Sequence, residues 1–340
     1  MIRRTGAASP REATEQWFVK RGLPYFVPSE RAAARDALRP RRTVPIGIGV
    51  AVAAVASAVA LSWLLGDASL GAAGLTLVGV VAAAFYAVTA LRGRPILTWA
   101  IQRTLGSLHL LLPMVTRALP LLLLFVTFLF INAEAWQLAS NLDGGVLWLT
   151  VLLFGAMAVL FLLVRLPEEL DDSGDEVDAE QLRRACRGTP LEPEVERLIE
   201  GGSPLPDSKV QGYERANLIL VLLVAQVAQV LVLSLAVFAF FMVFGAIVMK
   251  HSVQEAWTGG RIHALPVADN LSVELVQVSV FLAAFSGLYF TVTVLTDEAY
   301  RAQFFTGVMA ELDRAVGVRA AYLMLRGEDS DQDGVTPHSP

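Results

Sequence analysis

Six stretches of the chain stay apolar for about the length a helix needs to cross a bilayer: Val44 to Gly66, Leu70 to Leu91, Ala118 to Ala139, Val146 to Val164, Ala216 to Met249 and Ser272 to Thr296. Some 20 helical residues span the ~30 Å hydrocarbon layer, and few or no charges interrupt these segments. The pattern predicts an all-α membrane protein with six transmembrane helices and additional amphipathic helices outside the membrane. The fifth segment is overlong. Its 34 residues at ~1.5 Å each reach about 51 Å, so it must tilt, kink or project beyond the bilayer. Residues 96–116 are interrupted by Gln102, Arg103, Thr104, Ser107 and His109. They read as a helix lying at the membrane interface, opened by Pro95. After the last span a helical pattern continues from Asp297 to Arg326, with Tyr300, Phe304, Val308, Leu312, Val316 and Leu323 spaced by four or seven residues. Gly327 is expected to end it, and 327–340 to be a disordered tail.

These segments divide the chain into a cap at 1–43, four spans within 44–166, a linker at 167–215, two spans within 216–296 enclosing a loop at 250–271, and the amphipathic helix at 297–326. In the cap, Ser29 is a candidate N-cap for a short helix ending near Leu38. The linker, acidic at its start and rich in Pro and Gly, has room for short helices at Ala179 to Arg187 and Glu192 to Ile199. Small residues crowd the first two spans (Ala51, Ala54, Ala58, Gly71, Gly74, Gly79), which suits close helix packing.

Charge sets the orientation. Of 27 basic residues, 25 fall in the N-terminal cap, the 92–117 connection, the 165–215 connection and the C-terminal region; only Lys250 and Arg261 fall on the other side. Positive charge stays in the cytoplasm, so both termini are expected there, in a bacterial cytoplasmic membrane. Trp63, Trp136, Trp148 and Trp257 then lie near the outer surface, where amphipathic rings prefer to sit. No cleavage pattern follows the first apolar stretch, so it is expected to remain as an anchor.

A hydrophobic fraction of 55% with 17% charged residues is outside the balance of soluble domains, and a net charge of -5 argues against a nucleic-acid partner. Arg far outnumbers Lys, which suggests a high-GC bacterial genome. The single cysteine, Cys186, excludes an internal disulfide.

Chemistry is sparse. Asp171-Asp172-Ser173-Gly174-Asp175 has the letters of a diphosphate-binding DDxxD motif but lies in a hydrophilic linker. Asp329 to Gly334 opens like a calcium loop whose twelfth position is Pro340 instead of Glu. His251 and His263 share the outer loop with Glu255 and Asp269, a weak metal-binding pattern. No nucleophile elbow, zinc-protease helix or P-loop is present. The chain is therefore read as non-enzymatic, with no catalytic residue, cofactor or metal assigned. The informative residues are polar groups within the spans, where burial is costly. Glu134 with Gln137, Glu274 with Gln277, and Gln226 with Gln229 each share a helix face at i, i+3. Together they form a candidate intramembrane polar site.

The segments Trp17 to Phe26, Phe130 to Gln137 and Thr296 to Phe305 resemble a group of uncharacterised multi-pass integral membrane proteins of actinobacteria. The resemblance implies a membrane location and supplies no activity or ligand. The expected role is a scaffold or regulator contacting the lipid bilayer, with 297–326 as a surface for a protein partner or self-association. The alternative is a small-solute or ion transporter or channel using the intramembrane acids.

Overall fold

The computed structural model describes residues 9–106, 123–172, 178–201, 210–266, 270–296 and 298–334, with backbone alone described at 105, 169, 171–172, 295–296, 298–308 and 328–334. Helix α1 (Pro10–Lys20) begins on a capping box: the Ser9 hydroxyl accepts from the Glu12 N–H, and the Glu12 carboxylate accepts from the Ser9 N–H. Gly22 turns the chain with a positive φ of 75°, and a Cβ there would touch Ile96 and Trp99. A 3-10 turn (Pro24–Phe26) leads into α2 (Pro28–Ala37). Val27, not Ser29, occupies the N-cap of α2, because Pro28 with its fixed φ takes the first helical position.

Five helices are long and apolar enough to cross a membrane: α3 (Pro40–Leu65), α4 (Ala68–Thr89), α8 (Val146–Asp172, its candidate span running to Glu168), α11 (Gly212–Val248) and α13 (Val273–Thr296). A sixth span is made by α6 (Leu123–Phe130) and α7 (Ala133–Ser140), if this bent pair counts as one. The molecule is an all-α membrane protein. Helix α5 (Arg94–Gly106) follows α4; α9 (Ala179–Cys186) and α10 (Val195–Glu200) sit in the linker; α12 (His251–Thr258) lies between α11 and α13; α14 (Glu298–Gly334) ends the described chain.

Three elements depart from the sequence pattern. The third span is not continuous: its halves meet at 74°. Asn132 interrupts it, its side-chain oxygen accepting from the Glu134 N–H as the N-cap of α7. Trp136 stabilises the break by donating its indole N–H to the Phe130 carbonyl at 2.6 Å, so this ring is fully buried instead of lying at the surface. Helix α8 runs through Pro167 to Asp172, past the expected end of the span. Gly327 does not end α14, which continues to Gly334 and so enters the segment expected to be a tail.

Helices α3 and α4 form a hairpin around Gly66 and Asp67. They close tightly because Gly71 faces Ser62 and Ala58: a Cβ at Gly71 would fall 1.9 Å from the Ser62 hydroxyl and 2.8 Å from the Ala58 carbonyl. Their other faces, including Val52, Val59, Trp63, Val81 and Phe85, are exposed.

The remaining helices bury two clusters at opposite ends of the bundle. The far-end cluster centres on Phe130, Trp136, Phe241, Leu275 and Val278, with Phe130 stacked on Phe241 at 4.7 Å. The capped-end cluster joins Phe18, Leu23 and Phe26 to Ile96, Trp99, Leu166, Leu182, Leu222, Leu312, Ala321 and Tyr322. Helix α11 is common to both. At 37 residues and ~1.5 Å each it is about 55 Å long. Its first turns contribute Leu218, Val221 and Leu222 to the capped-end cluster, and that packing occupies its excess length.

Candidate functional site

The most elaborate polar construction lies at the capped end. Glu214, in the first turn of α11, is 5% exposed and receives two guanidinium groups: Arg31 of α2 at 2.9 Å and Arg319 of α14 at 2.6 Å. An acid in the first turn also complements the positive end of the helix dipole. Asn217, one turn further on and fully buried, accepts the Tyr25 N–H at 2.8 Å and donates to the Gly22 carbonyl at 2.9 Å. A second carboxylate, Glu311 of α14, bridges Arg21 of the cap at 2.8 Å and Arg103 of α5.

Aromatic groups complete the joint. Phe18 meets Tyr322 edge-on at 5.8 Å, and the Tyr322 hydroxyl donates to Glu15 at 2.6 Å. Burial, reinforced by that bond, pushes the Tyr322 hydroxyl up to about 12. Arg314 of α14 donates to the Ala185 and Arg187 carbonyls at the end of α9. Cys186 beside them is fully buried, and desolvation raises its thiol to about 11.

Leu312, Ala315, Val316 and Val318 of the C-terminal helix therefore pack in the capped-end cluster with the protein's own cap and linker helices. The side chains of Tyr300, Phe304 and Val308 lie outside the described residues. None of these ion pairs was legible in sequence, since Arg31, Glu214 and Arg319 are far apart along the chain.

The intramembrane polar residues are dispersed. Glu134 and Gln137 on α7 are exposed, and Gln277 is half-buried. Gln226 is fully buried with neither amide atom hydrogen-bonded among the described residues, where the Gln229 side-chain oxygen is likewise unpaired. Glu274 is buried at the start of α13. Gly245 packs against Leu275, and Gly287 against Val230 and Ser234, so α11 and α13 run antiparallel. This register places Gln226 level with the turn near Thr291. Glu274 is then about 25 Å away along α13, counting ~1.5 Å per residue.

Glu274 is tied instead to the loop between α11 and α13. Its carboxylate accepts the His263 N–H at 3.0 Å and contacts the His263 Nδ1 at 2.8 Å. Beside it the Ser272 hydroxyl donates to the Gln254 side-chain oxygen at 2.6 Å and accepts the Leu275 N–H, while Gln254 donates to the Met249 carbonyl. These bonds tie 250–272 back onto the helix ends. The sequence pattern grouped His263 with Glu255 and Asp269 of the loop and placed Glu274 in the span, so this pair was not legible in it.

Among the described residues no group of three or more His, Cys, Asp or Glu side chains is placed to hold a metal ion. Residues 173–175 of the acidic linker motif and Asp269, between α11 and α13, lie outside the described residues. Asp329 to Gly334 has helical backbone, not that of an open loop. Set against models of protein families, curated proteins and solved structures, the chain matches none, so the resemblance to actinobacterial membrane proteins is carried no further.

Proposed function

We propose that this is a non-enzymatic six-span protein of the bacterial cytoplasmic membrane, with both termini in the cytoplasm, acting as a scaffold or regulator through its capped end. The observation that carries the reading is the shared carboxylate of Glu214, which ties the N-terminal cap, α11 and the C-terminal helix α14 together. Such a joint, built from both ends of the chain and set on a membrane anchor, suits a docking platform. The excess of Arg on that side supports its cytoplasmic placement.

A second reading, a small-solute or ion transporter, draws on Gln226, a buried amide without a partner among the described residues. The distance of Gln226 from Glu274 weighs against a continuous path. Two measurements test the proposal. Reporter fusions after Asp175 and Gly327 are expected to report cytoplasm and one at Gly260 the exterior; an exterior signal after Gly327 overturns the topology. Proteoliposomes holding the full chain are expected to leak ions and small solutes no faster than protein-free vesicles. A flux abolished by Glu274→Gln or Gln226→Leu overturns the scaffold in favour of transport.

A further inference from the structure

A recess of about 360 Å³ opens where the N-terminal cap meets α5, lined by Val19, Lys20, Arg94, Thr98, Trp99 and Gln102 together with Pro95. Its lining contains two cations and no carboxylate. Lys20 and Arg94 are exposed, and neither has an ion-pair partner among the described residues. This contrasts with neighbouring Arg21 and Arg103, both held on Glu311. Trp99 forms the buried floor, and its indole N–H makes no hydrogen bond among the described residues.

The helix supplying most of the wall is amphipathic in a specific way. Arg94, Thr98 and Gln102 recur every four residues and face the recess, while Leu97 and Ile101, each one position earlier, form an adjacent stripe left 39% and 45% exposed. Helix α5 begins five residues after the span α4 ends at Thr89, so the recess stands at the membrane end of that span.

We propose that this recess is a binding site for the phosphate group of an anionic phospholipid. Lys20 and Arg94 neutralise the phosphate, Thr98, Gln102 and the Trp99 N–H donate to its oxygens, and Leu97 and Ile101 lie against the acyl chains. Two unopposed cations select for net negative charge, so an acidic headgroup is preferred over a zwitterionic one. The apolar stripe beside the polar wall favours a lipid over free phosphate as the source.

The test is native mass spectrometry of the full chain released from detergent micelles, titrated with phosphatidylglycerol, phosphatidylcholine or inorganic phosphate. Phosphatidylglycerol is expected to bind at least about tenfold more tightly than phosphatidylcholine, and Lys20→Gln with Arg94→Gln is expected to erase that preference. Gln102→Glu, which puts a negative charge into the recess on an exposed helix face, is expected to do the same without altering the fold. Retained phosphatidylglycerol that millimolar inorganic phosphate does not displace supports the lipid source. Displacement by inorganic phosphate alone overturns that source. Equal binding of the two lipids, or variants that bind as the unaltered chain does, overturns the site.

Discussion

The α3–α4 hairpin and helix α13 are both long and apolar, yet they meet opposite surroundings. In the hairpin, Ala54 and Gly71 are the buried positions and nearly every large side chain points outward. In α13, Leu275, Val278, Leu282, Ala283 and Val294 are enclosed by neighbouring helices. Lipid tails are about as apolar as leucine, so hydropathy alone does not distinguish a surface that faces lipid from one that faces protein. What separates the two is packing: aromatic stacking, glycine contacts and buried polar pairs hold α11, α13 and the cap. The hairpin is held by its own seam of small residues.

Removing a charge from the packed half gives the largest expected effect. Glu214→Ala leaves Arg31 and Arg319 without their shared carboxylate in a buried setting, and is expected to cost about 3 kcal/mol. In detergent, the melting temperature is expected to fall sharply while membrane insertion is retained. An unchanged melting temperature would show that the cap is held by apolar packing alone. Next comes a matched pair of truncations. Phe241→Ala, which removes a fully buried ring stacked on Phe130, is expected to cost roughly 3 kcal/mol. Phe85→Ala, in the hairpin, is expected to change stability by no more than about 0.5 kcal/mol. Equal losses would abolish the distinction between the two regions.

Gln226→Leu sharpens it from the other direction. An unpaired buried amide is replaced by an apolar group of similar size, so stability is expected to hold or rise by about 1 kcal/mol. A marked loss would reveal a polar partner for this side chain and strengthen the transport reading.

The mildest effect is a rate. Cys186 is buried with its thiol raised to about 11, so its alkylation near neutral pH is expected to be slow in the folded chain and fast in Glu214→Ala. The raised thiol contributes stability that is fully present below its ordinary pKa and lost as pH climbs through about 11, so alkaline pH favours opening of the packing around α9. Equal alkylation of both proteins at pH 7.5 would detach the Cys186 environment from the cap.

Span position was legible because about 20 apolar residues mark it whatever they touch. The kink at Asn132 was not, since one Asn in an apolar run is tolerated in an unbroken helix as well; the Asn132 cap on the Glu134 N–H and the Trp136 bond to the Phe130 carbonyl distinguish the cases. The apolar run ends at Val164, but hydropathy does not mark where a helix stops, and α8 continues to Asp172 with Leu166 buried and Leu170 packed at the capped end. For the candidate polar residues, i, i+3 spacing says only that two side chains share a helix face; it carries nothing about which faces converge. The capped end was the least legible, because Arg21 and Glu311, or Arg31 and Glu214, become neighbours only once the spans between them have assembled.

That separation has a consequence in time. Arg31 and Arg319, which share Glu214, stand 288 positions apart. At synthesis rates of ~5–20 residues per second, Arg319 leaves the ribosome roughly 15–60 s after Arg31. For that interval the N-terminal segment has no α14 to close on, and the contacts of Phe18 with Tyr322 and of Arg21 with Glu311 are unmade. Completion of the capped end thus waits on the synthesis of α14, and a chain cut before Arg319 would leave Glu214 with Arg31 alone of the pair.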